Sequence, residues 1–222
     1  WVHVLLVSQF TLMLYYTPFL LGGFSWSPDS LWHGGIASYL PDVFSGSNIV
    51  LSDYSNAYPL SFFVTYLFGQ MGVNVFVYSL YVYPVVCCVA FSVLAYFFAY
   101  RLFGDRTAFL ALLFMLPALH YAEMHVSRFS AGTIITLIAL ILSTYQKKWA
   151  LGLSFVVIVS LVLVHPISPL MLAIYLFSLA VSKFIYNRRT GAKMDKPFFF
   201  SLIFLFAIVA LWSAWSIFAT SV

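Results

Sequence analysis

Three short segments of the chain hold the side chains that could do chemistry. In Ser27-Pro-Asp-Ser-Leu-Trp-His-Gly-Gly-Ile-Ala-Ser-Tyr-Leu40, Asp29 and His33 stand four residues apart, so a helix starting there sets both on one face. A carboxylate and an imidazole so placed can bind a divalent metal or take a proton from an acceptor. The competing reading is local: Pro28 suits a first helical turn, and Ser27 or Asp29 caps it. In His120-Tyr-Ala-Glu-Met-His-Val-Ser-Arg128, Glu123 and His125 flank one residue, with Arg128 just beyond. Glu123 and His125 could help to hold a metal, and Arg128 could meet an anionic phosphate; a plain Glu123–Arg128 ion pair is the alternative. The third segment, Val164-His-Pro-Ile-Ser-Pro169, is a proline-bounded turn that could aim His165 into the same cavity or leave it against headgroups. Asp42 and Asp53 have no partner at a useful spacing and read as solvated loop acids.

What must position these residues is a set of apolar helices. The chain has 222 residues, 64% of them hydrophobic and only 7% charged, with a mean hydropathy of +1.02. A soluble domain carries about 25% charged residues, so a bilayer is the expected solvent. Aromatic residues at 20% suit lipid contact and interfacial belts. A net charge of +4 is no argument for nucleic acid, because its placement along the chain accounts for it. Cys87 and Cys88 are adjacent within an apolar run and read as small packing residues.

A membrane helix needs roughly 20 apolar residues. The expected spans are about 1–21, 75–100, 107–121, 130–146, 150–165, 170–186 and 198–222, a single domain of about seven transmembrane helices. The joints Arg101-Leu-Phe-Gly-Asp-Arg106, Gln146-Lys-Lys-Trp149 and Asn187-Arg-Arg-Thr-Gly-Ala-Lys-Met-Asp-Lys-Pro197 are short and basic. Nine of the ten basic residues fall at or beside them, Arg128 being the exception. The positive-inside rule makes these joints cytoplasmic. The N-terminus is then cytoplasmic too, while loops 22–74, 120–129 and 165–169 lie outside. The acids sort the other way: Asp29, Asp42, Asp53 and Glu123 fall outside, with only Asp105 and Asp195 inside. Tyr58-Pro-Leu-Ser-Phe-Phe-Val-Thr-Tyr-Leu-Phe-Gly69 is apolar but too short to cross, reaching only about 21 Å even at about 14 residues. It is expected to lie in or dip into the outer interface, within a long structured external loop. A chain running from Trp1 to Val222, both ends apolar, is expected to be a fragment or the ordered part of a longer chain; a signal peptide is the lesser reading of its start.

The order of these features resembles the GT-C superfamily of polyprenyl-phosphate-sugar-dependent glycosyltransferases, which includes protein O-mannosyltransferases and oligosaccharyltransferase catalytic subunits. The resemblance rests on Asp29-x-x-x-His33 after the first span and Tyr58-Pro59-Leu60 opening a short apolar helix. It continues through Tyr100-Arg-Leu-Phe-Gly-Asp-Arg106 and a following span that closes on Pro117 and Ser127-Arg128. It covers roughly residues 1–145, and the remainder by topology only. It implies an all-α polytopic fold and sugar transfer from a polyprenyl-phosphate or -pyrophosphate donor at the extracytoplasmic face. Asp29 would be catalytic base or metal ligand; Glu123 and His125 would be auxiliary ligands of a divalent metal such as Mg or Mn. Arg128 would contact the donor phosphate, and His33, His165 and Tyr58 would line the substrate site. The usual acidic pair of the second external motif is here Glu123-x-His125, which leaves metal dependence open. The expected partners are membrane lipid, the lipid-linked donor and further membrane subunits, without nucleic acid. The expected location is the plasma membrane of a prokaryote or the endoplasmic reticulum. Two rival readings are a non-catalytic subunit of a larger membrane complex and a transporter or lipid flippase. The spans carry almost no charge and no inverted repeat, which weighs against the last.

Overall fold

The computed structural model describes residues 2–22, 35–37, 59–114, 128–145, 147–191 and 196–221. Every regular element among them is helical. In chain order they are α1 (Val2–Gly22), α2 (Pro59–Gln70), α3 (Val75–Phe103), α4 (Asp105–Phe114), α5 (Arg128–Ser143), α6 (Lys148–Val164), α7 (Ser168–Thr190) and α8 (Lys196–Ser221). Helix α3 passes the expected boundary at residue 100. It stops where Gly104 takes φ +83° and donates its N–H to the Tyr100 carbonyl at 3.0 Å. That positive φ is a conformation only glycine adopts at little cost, and it lets α4 restart within one residue.

Neighbours along the chain pack on one another: α3 on α4 and α5, α5 on α6 and α7, and α7 on α8. Helix α1 lies against α3 and α4, and α8 also reaches α6. The shared core comprises Val4 and Val7 of α1, Phe91 and Ala95 of α3, Leu137 and Leu140 of α5, Ile158 and Leu161 of α6, Leu172 and Leu176 of α7, and Ile208 of α8. Cys87 and Cys88 are both buried, and Cys88 Sγ approaches the Ser8 carbonyl at 3.5 Å, where α1 meets α3. Short α2 buries Phe62 and Thr65, one helical turn apart, and packs against α6 and the start of α3.

Apolar side chains cover the outside of these helices as well as the inside. Phe206 is 77% exposed and Val156 59%, and Val86, Ile174, Phe177 and Ile203 also face outward. Soluble monomers rarely expose contiguous apolar surface beyond a few hundred Å², and helices apolar all round belong to large cores or membranes. Two helices, Val75–Phe103 and Ser168–Thr190, are long and apolar enough to cross a membrane. Val4–Met13, Phe129–Ser143, Lys148–Val164 and Ile203–Ile217 are shorter apolar helical stretches.

Two polar ties fix the direction of α3 against α5. Near the start of both, the Tyr83 hydroxyl lies 2.8 Å from Ser130 Oγ. Near the end of both, Arg101 Nε–H donates to Thr144 Oγ1 at 3.0 Å. The helices therefore run parallel, and Tyr83 and Arg101 stand about 27 Å apart along α3, close to the depth of a hydrocarbon core. Helix α6 returns antiparallel from the Arg101 end. At the far end, Trp212 of α8 donates its indole N–H to the Pro166 carbonyl at 2.7 Å. Arg101, Lys147 and Lys148 thus gather at one end, and Ser130, His165 and Pro166 at the other.

Candidate functional site

The residues singled out by the sequence fall unevenly on the described structure. Asp29, His33, Tyr58, Glu123 and His125 lie outside the described residues, as do His120, Asp42 and Asp53. Arg128 is described in its backbone only, as the first residue of α5. His165 is described fully, and the structure brings its turn and the start of α5 together.

His165 ends α6 in an extended conformation, with φ −153° and ψ 137°, and its side chain is buried. Its Nδ1 lies 2.8 Å from Ser168 Oγ and accepts the Ser168 backbone N–H at 3.2 Å. A backbone amide can only donate, so Nδ1 presents its lone pair and the neutral ring carries its proton on Nε2. The start of α7 needs this contact, because the residue at the cap position, Ile167, makes no side-chain cap. His165 supplies from three residues earlier what Ser, Thr or Asp supplies elsewhere. Pro169 follows within the first turn, where its missing N–H costs no helical bond.

Helix α5 closes over this turn. The Phe129 ring meets the imidazole edge-on at 5.4 Å, directly after Arg128. One turn further, Gly132 faces the cap itself. A Cβ built there would stand 3.1 Å from His165 Cβ and 3.0 Å from Ser168 Cβ, and closer still to Ser168 Oγ. Only a residue without a side chain allows α5 this approach. Trp212 completes the arrangement by holding the Pro166 carbonyl.

A second feature of the same end is a break in the hydrogen-bond ladder of α3. Residues Tyr78–Val82 form a π turn, and the Tyr83 N–H reaches back to the Tyr78 carbonyl. Pro84 is the cause: it has no N–H for the Leu80 carbonyl, and its ring crowds that oxygen. Helix α1 answers the deficit. The Tyr16 hydroxyl lies 3.0 Å from the Tyr81 carbonyl oxygen and 3.3 Å from that of Leu80, sharing its proton between them. The Tyr16 and Tyr81 rings stack at 6.3 Å. The wider turn presents Tyr78, whose ring stacks on Phe68 of α2 at 4.4 Å, and Tyr83, which reaches Ser130.

Sequence reasoning singled out His165 and Arg128 but missed Gly132, Ser168, Trp212, Tyr16 and Tyr83. Pro84 within an apolar run was the one local signal of the α3 break. The partners of His165 had none, because they meet only in the tertiary fold. No group of three or more His, Cys, Asp or Glu that could hold a metal occurs among the described residues. His165 is the one member of the proposed site whose side chain is described, and its Nδ1 is committed to Ser168.

No family model, curated protein or solved structure matches the chain.

Proposed function

We propose that this chain is a polytopic all-α membrane protein of about seven spans. It would move a sugar from a polyprenyl-phosphate or -pyrophosphate donor to an acceptor at the membrane face bearing the start of α5 and the His165 turn. The observation that carries this reading is the separation of chemistry between the two ends of the helices. The start of α5, where Arg128 stands, adjoins His165 at one end, and Arg101 pairs with Thr144 at the other. A lipid-linked donor needs that polarity: an anion-binding arginine at headgroup depth, apolar helix surfaces for the tail, and an acid for the acceptor.

In this account Asp29 takes the acceptor proton and Arg128 meets the donor phosphate, a role suited to a guanidinium fork. Glu123 and His125 would join Asp29 in holding a divalent ion, which would steady the charge of the departing phosphate. His165, which holds the start of α7 and meets Phe129 of α5, would act as a positioning residue for this end. The donor tail would lie along the exposed apolar faces of the helices.

The test is photo-crosslinking with a polyprenyl-phosphate sugar that carries a photoactivatable tail. Crosslinking to the wild-type protein that excess unlabelled donor suppresses, and that Arg128→Gln weakens, supports the reading. Crosslinking indifferent to both favours a non-catalytic subunit of a larger complex.

A further inference from the structure

The end of the molecule opposite His165 carries a second constellation that the transfer reading does not use. Arg101, at the close of α3, is fixed in two ways. Its Nε–H donates to Thr144 Oγ1 at 3.0 Å, and its guanidinium carbon sits 4.3 Å from the centre of the Tyr145 ring. Tyr145 in turn leans on Trp149, with ring centres 5.5 Å apart. These contacts hold the guanidinium plane, while its two amino groups meet no acceptor among the described residues. Lys147 and Lys148 lie in the same turn, between Tyr145 and Trp149, and both are exposed. Asp105 is the one carboxylate among the described residues, and it is engaged by the Tyr96 hydroxyl. The patch is therefore three cations beside an aromatic wall, and among the described residues no carboxylate other than Asp105 is available to neutralise it.

The position of the lysines is not a stability choice. Cations at a helix N-terminus oppose the macrodipole, and Lys147 and Lys148 stand at the very start of α6. Trp149 is 54% exposed, as befits an aromatic at headgroup depth rather than in a core.

We propose that Arg101, Lys147 and Lys148 form a headgroup site for an anionic phospholipid of the leaflet at this end. Tyr145 and Trp149 flank the glycerol region, and the acyl chains run down the apolar faces of α3 and α6. A pre-set guanidinium fork matches two phosphate oxygens, and basic side chains at a membrane surface each favour anionic lipid. The proposal rests on the membrane-spanning part of the preceding reading but not on sugar transfer.

The experiment is native mass spectrometry of the detergent-purified protein, given equimolar phosphatidylglycerol and phosphatidylcholine. The wild type is expected to retain phosphatidylglycerol about tenfold over phosphatidylcholine, since each basic side chain at the membrane surface favours the anionic lipid. The Lys147→Gln/Lys148→Gln variant disturbs no observed contact and is expected to lose most of that preference. Arg101→Gln should lose the remainder, and Arg188→Gln/Arg189→Gln, an equal removal of charge elsewhere, should keep it. Equal retention of the two lipids, or the same loss in the Arg188/Arg189 variant, overturns the site. So does displacement of the lipid by millimolar inorganic phosphate, which assigns the patch to a soluble anion. Flotation with neutral phosphatidylcholine vesicles reads the membrane assignment separately: protein that floats but shows no lipid preference fails this proposal alone.

Discussion

Gly132 on α5 and Ser168 at the start of α7 approach so closely that a Cβ on the glycine would stand 3.0 Å from Ser168 Cβ. The contact sits over the His165 cap and joins three helices at the proposed site. It also sets how near Arg128, one turn earlier, comes to the His165 turn.

Gly132→Ala is therefore expected to destabilise the protein by about 1–3 kcal/mol, the usual cost of overpacking a tight contact. Thermal unfolding in detergent would measure it. Gly152, where an added Cβ meets nothing within 4 Å, provides the control, and Gly152→Ala should be neutral or slightly stabilising.

The α3 break predicts a thermodynamic coupling. Tyr16→Phe removes the donor that serves the Leu80 and Tyr81 carbonyls and should cost about 1 kcal/mol. Pro84→Ala restores an N–H for the Leu80 carbonyl, so Tyr16→Phe should cost less in that background. A double-mutant cycle read by unfolding in detergent checks this. Strict additivity would mean that Tyr16 does not answer the proline.

His165→Ala should cost more than Ser168→Ala. The histidine both caps α7 and fills the space under Phe129, whereas the serine hydroxyl is one partner of a cap that its own backbone N–H maintains. The loss expected for His165→Ala is about 1–2 kcal/mol from the cap alone, with the packing loss added to it. Unfolding of the two variants side by side measures the difference.

Much of the helical framework was legible because apolar composition and breakers are local. The run expected at 75–100 is helical from Val75, where the Asn74 side chain accepts from the N–H groups of Phe76 and Val77. The basic joints at Arg101 and Lys147 lie at one end, as the charge pattern implied. The π turn of Tyr78–Val82 had Pro84 as its one local signal, and the Tyr16 hydroxyl that meets its carbonyls is far away in sequence. At the site, His165 drew notice as a polar residue between two apolar runs. Gly132 and Trp212 looked like ordinary helix residues, and their roles arise only from which helices meet.

The proposed orientation has its own consequence. In a Cys87→Ala/Cys88→Ala background, a cysteine replacing exposed Ile167 should react with an impermeant maleimide on intact cells. A cysteine replacing Arg189, at the other end of α7, should react only after permeabilisation. The reverse pattern would invert the topology, and reaction of both from one side would mean that α7 does not cross.

The central claim is tested most directly by sugar transfer. Purified protein would be reconstituted in vesicles with radiolabelled polyprenyl-phosphate and -pyrophosphate sugars and an acceptor, with and without EDTA, beside Asp29→Asn. The account predicts transfer by the wild type that Asp29→Asn abolishes while leaving folding intact, and EDTA sensitivity would assign the divalent ion. Transfer unchanged in Asp29→Asn, or none with any donor from well-folded wild-type protein, would contradict it.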